Sequence, residues 1–299
     1  MKLIQTIGNT PLLALERLSG SGKPVVYAKA EFMNPSGSVK DRAAANMLQE
    51  GIASGKLTQG KTILDATSGN TGIAYAMLGA SLGFKVKLFL PANASAERKQ
   101  IMRAFGAEII ETDPLEGSDG AYLAALDEYR KDPDRYFYPD QYNNPANWKA
   151  HFDGTGREIF EQTEGRITHF VASTGTSGTL MGVAKRLKQE NPDIKVIAVQ
   201  PDSPMHGIEG TKHMASTLHP GIYEPSILDG FVEVSTEEAY LTVRKLAREE
   251  GVFIGISSGA NVAGALKVAE KLDEKAVVAT VLCDNGFRYL SGDLWEGRQ

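Results

Sequence analysis

The feature that most constrains the fold is a regular alternation between short apolar runs and longer stretches of helical periodicity. The runs are rich in apolar and β-branched residues, which is typical of parallel strands buried on both faces of a sheet. They lie at residues 25–30, 62–66, 85–90, 108–111, 169–172, 196–199, 252–256 and 276–282. Helical periodicity occupies residues 43–52, 71–82, 94–105, 118–129, 180–189, 236–249 and 260–272. The alternation predicts an α/β fold made of doubly wound, mostly parallel sheets.

Two irregular segments interrupt this alternation. Residues 132–147 contain three Pro and three Asn, and we place a domain boundary near residue 145. The predicted smaller α/β domain spans residues 35–145 and is expected to be mobile, whereas the larger one combines residues 1–34 and 146–299. Residues 201–229 have little periodicity, and a stretch of this length inside a compact domain is usually functional or mobile.

Composition excludes several classes of function. The 299 residues include 32 Lys and Arg against 37 Asp and Glu, and this net charge of −5 argues against a nucleic-acid partner. A single cysteine rules out a disulfide framework, and five histidines without ligand spacing predict that no metal is bound. The N-terminal residues lack the apolar centre of a signal peptide, and no apolar run is long enough to span a bilayer. We therefore expect a cytoplasmic protein without a membrane partner.

Three loops rich in Gly, Ser and Thr follow predicted strands, at residues 67–72, 173–179 and 257–261. In parallel α/β folds, ligands bind beyond the carboxyl ends of the strands, where helix N-termini favour anions. The loop at 173–179 is the strongest candidate for a phosphate site, although it matches neither the P-loop nor the dinucleotide fingerprint. An ordinary strand-to-helix turn remains an alternative for this loop, and a capped helix start remains one for residues 67–72.

Lys40 occupies an unusual place in the chain. It lies in the run Asn-Pro-Ser-Gly-Ser-Val-Lys-Asp-Arg at residues 34–42, directly before a predicted helix that Ser38 can cap. A positive charge in the first turn of a helix is electrostatically unfavourable, and such a breach of a local rule often marks a functional site. A partly desolvated lysine there should have a lowered pKa, which suits Schiff-base chemistry. The alternative is a surface lysine paired with Asp41 or Glu31.

Together these segments resemble the cysteine synthase (O-acetylserine sulfhydrylase) family of fold-type II pyridoxal-phosphate enzymes, whose fold is like that of tryptophan synthase β. The resemblance runs from Thr-Ile-Gly-Asn-Thr-Pro-Leu at residues 6–12 to Arg-Tyr-Leu-Ser at 288–291. Its most specific part is Pro-x-Gly-Ser-x-Lys-Asp-Arg at 35–42 followed by Thr-Ser-Gly-Asn-Thr-Gly at 67–72. Within the family the sequence is most similar to the B isozyme, as residues 166–171, 179–183 and 283–284 indicate. The resemblance also implies a homodimer.

The resemblance implies roles for individual residues. Lys40 would carry pyridoxal 5′-phosphate as a Schiff base, Asn70 would bind the 3′-oxygen of the cofactor, and Ser257 would face its pyridine nitrogen. The phosphate loop would consist of Gly175, Thr176, Ser177, Gly178 and Thr179. The substrate carboxylate would be bound by Thr67, Ser68, Thr71 and Gln141.

Three further residues are weaker candidates for substrate binding. Relatives that use O-phosphoserine carry an arginine in the segment that corresponds to residues 207–214, where this chain has Glu209 and Lys212. Lys212 is our candidate for the basic position. Cys283 and Asp284 follow a predicted strand and could line the same sheet edge, although a free cysteine is more often a small buried hydrophobe.

The reaction implied by the resemblance is a β-replacement. Sulfide would replace the acetate of O-acetyl-L-serine through an α-aminoacrylate, giving L-cysteine, and thiosulfate is an alternative donor that would give S-sulfocysteine. A neutral serine at the ring nitrogen makes the cofactor a weaker electron sink, which favours elimination and replacement over transamination. The alternatives are an O-phosphoserine sulfhydrylase, a cystathionine β-synthase-like enzyme, a threonine or serine dehydratase, and a catalytically inactive binding protein. The expected partners are the amino-acid substrate, the sulfur donor and a second copy of the chain.

Overall fold

A computed structural model describes residues 1–67 and 69–295, which form two β-sheets flanked by helices. The larger sheet has the strand order β1-β2-β10-β7-β8-β9. Its strands are β1 (Leu12–Leu15), β2 (Val26–Ala30), β7 (His169–Ser173), β8 (Lys195–Pro201), β9 (Gly230–Val234) and β10 (Val278–Leu282). The smaller sheet has the order β5-β4-β3-β6 and consists of β3 (Thr62–Ala66), β4 (Lys85–Pro91), β5 (Glu108–Thr112) and β6 (Tyr136–Phe137).

The pairing of the strands confirms the predicted mostly parallel α/β fold. The strands of the smaller sheet are parallel to their neighbours, and in the larger sheet the antiparallel pair is β1 with β2. Alternate residues of β7 enter different cores, since Phe170 and Ala172 pack on one side of the sheet and Val171 on the other. The smaller sheet is likewise covered on both faces, because Ile63 and Leu64 of β3 belong to separate clusters. Burial on both faces explains why the strands are nearly continuous in apolar residues.

The helices lie mostly between successive strands, as expected for crossover connections. They are α1 (Glu16–Ser19), α2 (Lys40–Ala53), α3 (Asn70–Leu82), α4 (Ala96–Ala104), α5 (Gly117–Lys131), α6 (Pro145–Ala150), α7 (Arg157–Gln162), α8 (Gly178–Glu190), α9 (Thr236–Lys245) and α10 (Ile256–Ala269). Local caps explain several starts: Ser95 accepts a hydrogen bond from Arg98 N, and Ser235 forms a capping box with Glu238. A π-helical segment (His151–Gly156) joins α6 to α7, and a second one (Leu246–Glu250) extends α9.

One predicted strand is wrong. Residues 252–256 form no strand, and Ile254 makes only an isolated bridge to Asn285. The short apolar run ends at Gly255, which is the N-cap of α10, so Ile256 already belongs to the helix. Gly255 lies so close to the segment after β10 that a Cβ there would be 2.2 Å from Asp284 Oδ1, which explains the need for glycine. Ser257 therefore lies in the first turn of α10 and not in a loop after a strand, and α10 begins before the predicted residue 260.

The strands of the smaller sheet lie between residues 62 and 137, and those of the larger sheet lie before and after that span. Both boundaries of the predicted domains, at residues 35 and 145, stay predictions. No helix in the described part of the chain has the length and apolarity that a membrane crossing requires.

Candidate active site

Lys40 is held at the carboxyl end of the larger sheet. The strand β2 leads through residues 31–39 into α2, whose first residue is Lys40. Val39 N donates a 2.8 Å hydrogen bond to Cys283 O, and Ser38 forms a bridge with Asp284. The start of α2 is thus attached to the residues that follow β10. The prediction that Lys40 lies in the first turn of a helix is confirmed.

The surroundings of Lys40 favour its neutral amine. Burial lowers the pKa of Lys40, and the nearby Cys283 and Asp284 act in the opposite direction without reversing the effect. Ser38 Oγ accepts a 3.3 Å hydrogen bond from the backbone N–H of Lys40, which satisfies one donor at the helix start. A neutral amine is the nucleophilic form, so this environment suits covalent chemistry with a carbonyl group.

A cleft of about 960 Å³, counted with its open mouth, brings most of the predicted site residues together. The predicted residues that line it are Lys40, Asn70, Thr71, Gln141, Gly175, Thr176, Ser177, Gly178, Thr179, Lys212, Ser257 and Cys283. Thr67 and Asp284 are buried beside the cleft and are not among the residues that line it in the described part of the chain. Ser68 lies outside the described residues.

The loop after β7 forms a cradle at the N-terminus of α8. Ser177 has a φ of +69°, a conformation that costs an L-residue roughly 1–2 kcal/mol. Its buried Oγ has no hydrogen-bond partner among the described residues. A Cβ on Gly175 would lie 2.4 Å from Gly210 O, and one on Gly178 would lie 1.9 Å from Asn147 Oδ1. The left-handed backbone of Ser177, its unpartnered hydroxyl and the N-terminus of the 13-residue helix α8 together favour the binding of an anion.

Three of the residues predicted to bind a carboxylate, Thr67, Thr71 and Gln141, lie at the end of β3. Thr71 Oγ1 donates a 2.9 Å hydrogen bond to Gln141 Oε1, and Gln141 Nε2 donates one of 2.6 Å to Ala66 O. Thr67 is placed differently, since its Oγ1 accepts hydrogen bonds from Gly69 N at 2.9 Å and Gly72 N at 3.2 Å. Thr71 and Gln141 therefore face the cleft as a pair, while Thr67 stabilises the loop that leads into α3.

Asn70 and Cys283 complete the wall beside Lys40. Asn70 Nδ2 donates a 2.6 Å hydrogen bond to Asp284 Oδ2, and Asn70 Oδ1 accepts one from Arg288. Burial raises the pKa of the Cys283 thiol to about 11, although Lys40 opposes this effect. The thiol is therefore protonated at neutral pH, and it accepts a 3.3 Å hydrogen bond from Asn261.

Lys212 forms an ion pair with α5, a helix that packs on the smaller sheet. Its Nζ is 2.9 Å from Asp119 Oδ1 on α5 and 5.1 Å from the centroid of the Tyr142 ring. Glu209, in the same segment, forms an ion pair with Arg98 of α4. The sequence indicated a functional segment here but gave no signal for either partner.

Asn147 is a further residue that sequence reasoning missed. It is buried, and its Nδ2 donates to Gln141 O at 2.7 Å and to Thr176 Oγ1 at 3.1 Å. It thus connects the carboxylate side of the cleft to the anion cradle. The Asn-rich composition of residues 132–147 was the available signal.

The fold and this cleft define an α/β enzyme with a lysine beside an anion cradle. The chain belongs to the pyridoxal-phosphate dependent enzyme family, whose match covers residues 3–284. It is 50% identical to a cysteine synthase of Aquifex aeolicus over 99% of this chain and 92% of that protein. It is 44% identical to cysteine synthase B of Escherichia coli over 97% of this chain and 94% of that protein. The structure of a cysteine synthase (OASS) from Entamoeba histolytica, 36% identical, matches with a TM-score of 0.93 over 100% of this chain and 91% of the other.

The residues present fit pyridoxal phosphate. The Ser177 hydroxyl without a partner and the glycines at 175 and 178, where a Cβ would collide, suit the phosphate group. The partly buried Lys40 amine suits the aldehyde. The family membership, the fold and the cleft therefore agree on the cofactor.

Proposed function

We propose that the chain is a cysteine synthase that converts O-acetyl-L-serine and sulfide into L-cysteine and acetate. The observation that carries the proposal is the position of Lys40, which lies in one cleft with the anion cradle at α8 and the Thr71–Gln141 pair. A cofactor phosphate and a substrate carboxylate would each have a separate set of donors in the cleft that Lys40 lines. This arrangement fits an amino acid bound beside a lysine-linked cofactor.

The cofactor would be held by residues on three elements. Lys40 would bind its aldehyde carbon, the N–H groups and hydroxyls of residues 175–179 its phosphate, and the Ser257 hydroxyl its ring nitrogen. When bound, pyridoxal phosphate supplies an electron sink for the negative charge that develops at the substrate Cα. Asn70 would donate to the ring oxygen through Nδ2, because its Oδ1 already accepts from Arg288.

The protein itself would bind the substrate and move the proton. Lys40 Nζ would take the proton from the substrate Cα and return it at the end, which its lowered pKa favours. Thr71 and the first N–H groups of α3 would donate to the substrate carboxylate, and Thr71 would turn its hydroxyl away from Gln141 to do so. We also propose that Thr67 and Ser68 act here, Thr67 through the loop that its hydroxyl stabilises.

The contacts of Lys212 favour an acetyl over a phosphate leaving group. Asp119 already pairs with Lys212, whereas Glu209 in the same segment pairs with Arg98. The phosphate of O-phosphoserine would therefore have to compete with a carboxylate for Lys212 and would be repelled by it. Thiosulfate remains a proposed second donor. We further propose that the protein is a cytoplasmic homodimer, which the resemblance to the cysteine synthase family supports. Light scattering would test the dimer.

Steady-state kinetics would test the proposal, with O-acetylserine and O-phosphoserine as amino-acid substrates and with sulfide and thiosulfate as sulfur donors. We expect kcat/KM for O-acetylserine with sulfide to exceed that for O-phosphoserine by about tenfold or more, since binding differences of that size are ordinary. Asp119→Asn should raise kcat/KM for O-phosphoserine and leave that for O-acetylserine unchanged, because it releases Lys212 from its partner. A wild-type enzyme that prefers O-phosphoserine would contradict the proposed substrate. A lack of turnover with both amino-acid substrates, O-acetylserine and O-phosphoserine, would contradict the proposed function.

A further inference from the structure

Asp284 makes contacts that differ from those of a substrate-binding residue. Its Oδ2 accepts a 2.6 Å hydrogen bond from Asn70 Nδ2 and a 2.8 Å hydrogen bond from the Tyr289 hydroxyl. Its side chain is fully buried and does not line the cleft in the described part of the chain. Among the cleft-lining residues in the described part of the chain, Asn70 is the one whose side chain forms a hydrogen bond with the Asp284 carboxylate.

The charges around Asp284 explain how a buried carboxylate is tolerated. Arg98 and Arg288 are both attracted to it electrostatically, and so is Lys40. Its Oδ1 has no hydrogen-bond partner among the described residues and lies against the backbone of Gly255. A buried carboxylate oxygen without a donor is costly, so stability alone gives a poor reason for a carboxylate at this position.

Two charged neighbours determine the orientation of the Asn70 amide. An ionised carboxylate can only accept, so Asn70 must present its NH₂ group to Asp284. A guanidinium can only donate, so Asn70 must present its oxygen to Arg288. The two contacts agree on one orientation, and they leave the second Nδ2 hydrogen for a ligand in the cleft that Asn70 lines.

We propose that Asp284 is a positioning residue that fixes the side-chain amide of Asn70, so that Nδ2 donates to the cofactor. The proposal rests on the proposed function, in which Asn70 binds the cofactor's ring oxygen. Asp284 contributes a charge-assisted hydrogen bond, which is stronger than a neutral one and holds the amide in a single rotamer. At metal sites, removing the partner that orients a ligating side chain weakens affinity by about tenfold to hundredfold, and we expect a similar range for Asp284 and the cofactor.

A double-mutant cycle on cofactor affinity tests this role. The four proteins are wild type, Asp284→Ala, Asn70→Ala and the double variant, and the readout is the dissociation constant of pyridoxal phosphate from each apoenzyme. We expect each single variant to bind about tenfold to hundredfold more weakly and the double variant to bind no more weakly than Asn70→Ala. Losses that multiply in the double variant would overturn the proposal, because Asp284 would then act independently of Asn70.

A control variant on β10, the strand that precedes Asp284, separates positioning from general damage. Thr280 is buried on β10, donates a 2.6 Å hydrogen bond to Val171 O, and does not line the cleft in the described part of the chain. Thr280→Val should lose stability but keep its cofactor affinity within about twofold of wild type. Equal loss of affinity in Thr280→Val and Asp284→Ala would also overturn the proposal.

Two further measurements complete the test. If Asp284→Ala does not fold, the cycle is run with Asp284→Asn, which keeps an oxygen for Asn70 Nδ2 and should lose less affinity. The visible absorption maximum of the loaded enzyme should move in Asp284→Asn and stay in place in Thr280→Val, and an unmoved maximum with unchanged affinity would refute the role. A wild-type apoenzyme that binds no pyridoxal phosphate would contradict the proposed function, whereas multiplying losses in a wild type that does bind it would contradict only the role of Asp284.

Discussion

Gly178→Ala is the substitution whose effect the geometry of the anion cradle determines most directly. A Cβ at this position would lie 1.9 Å from Asn147 Oδ1, so Asn147 would have to move by more than an ångström. Asn147 cannot move without losing its bonds to Gln141 O and Thr176 Oγ1. Overpacking costs about 1–3 kcal/mol and each of the two lost hydrogen bonds about 1 kcal/mol, so we expect a loss of about 3–5 kcal/mol in stability.

Urea denaturation of the apoenzyme measures this loss, and cofactor titration measures its consequence at the site. Pyridoxal phosphate should bind at least about tenfold more weakly, because a displacement of Thr176 changes the cradle. Gly230→Ala is the matched control, since its Cβ would meet only Ile197 Cδ1, at an ordinary 3.4 Å. A Gly178→Ala enzyme with wild-type stability and cofactor affinity would refute the reasoning.

Three other substitutions should have distinct signatures. Burial alone would raise the pKa of Glu158, but hydrogen bonds from Arg42 and Lys29 lower it from 4.5 to about 2. Glu158→Gln should therefore cost roughly 3 kcal/mol in urea denaturation at pH 7, and the gap should close as pH falls from 4.5 towards 2; a constant gap would contradict the ion pairs. Burial raises the pKa of Asp65 from 3.8 to about 8, so wild-type stability from this group is lost as pH rises through that window. Asp65→Asn should become progressively more stable than wild type between pH 4 and 8, and a flat difference in the same assay would exclude the raised pKa. Ser177→Gly removes a residue with φ of +69°, so thermal denaturation should find the apoenzyme equal or up to about 1 kcal/mol more stable while cofactor titration finds weaker binding; unchanged affinity would exclude its hydroxyl from the phosphate site.

The parts of the fold that the sequence predicts are those governed by local periodicity. The strand at Thr62–Ala66 has its predicted bounds, and the helix at Asn70–Leu82 begins within one residue of prediction. The strands β1, β6 and β9 were missed because they are short or lie at sheet edges, where the apolar pattern is weak. The false strand at 252–256 arose because a short apolar run before a glycine looks the same whether it enters a sheet or a helix.

The site could be predicted where a motif carries it and not where it depends on pairs that are distant in the chain. Lys40, Asn70 and the cradle at 175–179 were found from sequence, and the structure brings them to one cleft. The ion pair of Lys212 with Asp119 joins residues 93 apart, and the bond of Asn70 to Asp284 joins residues 214 apart. No local pattern predicts such contacts, since the packing of the two sheets creates them. The contact with Asp119 makes Lys212 a paired cation, which the sequence alone did not indicate.

The central claim, that Lys40 carries the cofactor, has a direct chemical test. Borohydride converts a lysine–pyridoxal linkage into a stable secondary amine, so the reduced holoenzyme can be digested and its labelled peptide identified by mass spectrometry. We predict that the added mass lies on Lys40, that Lys40→Ala carries no label, and that Lys212→Met is labelled as wild type is. A label on any other lysine, or no label on a wild-type enzyme that retains the cofactor, would contradict the account.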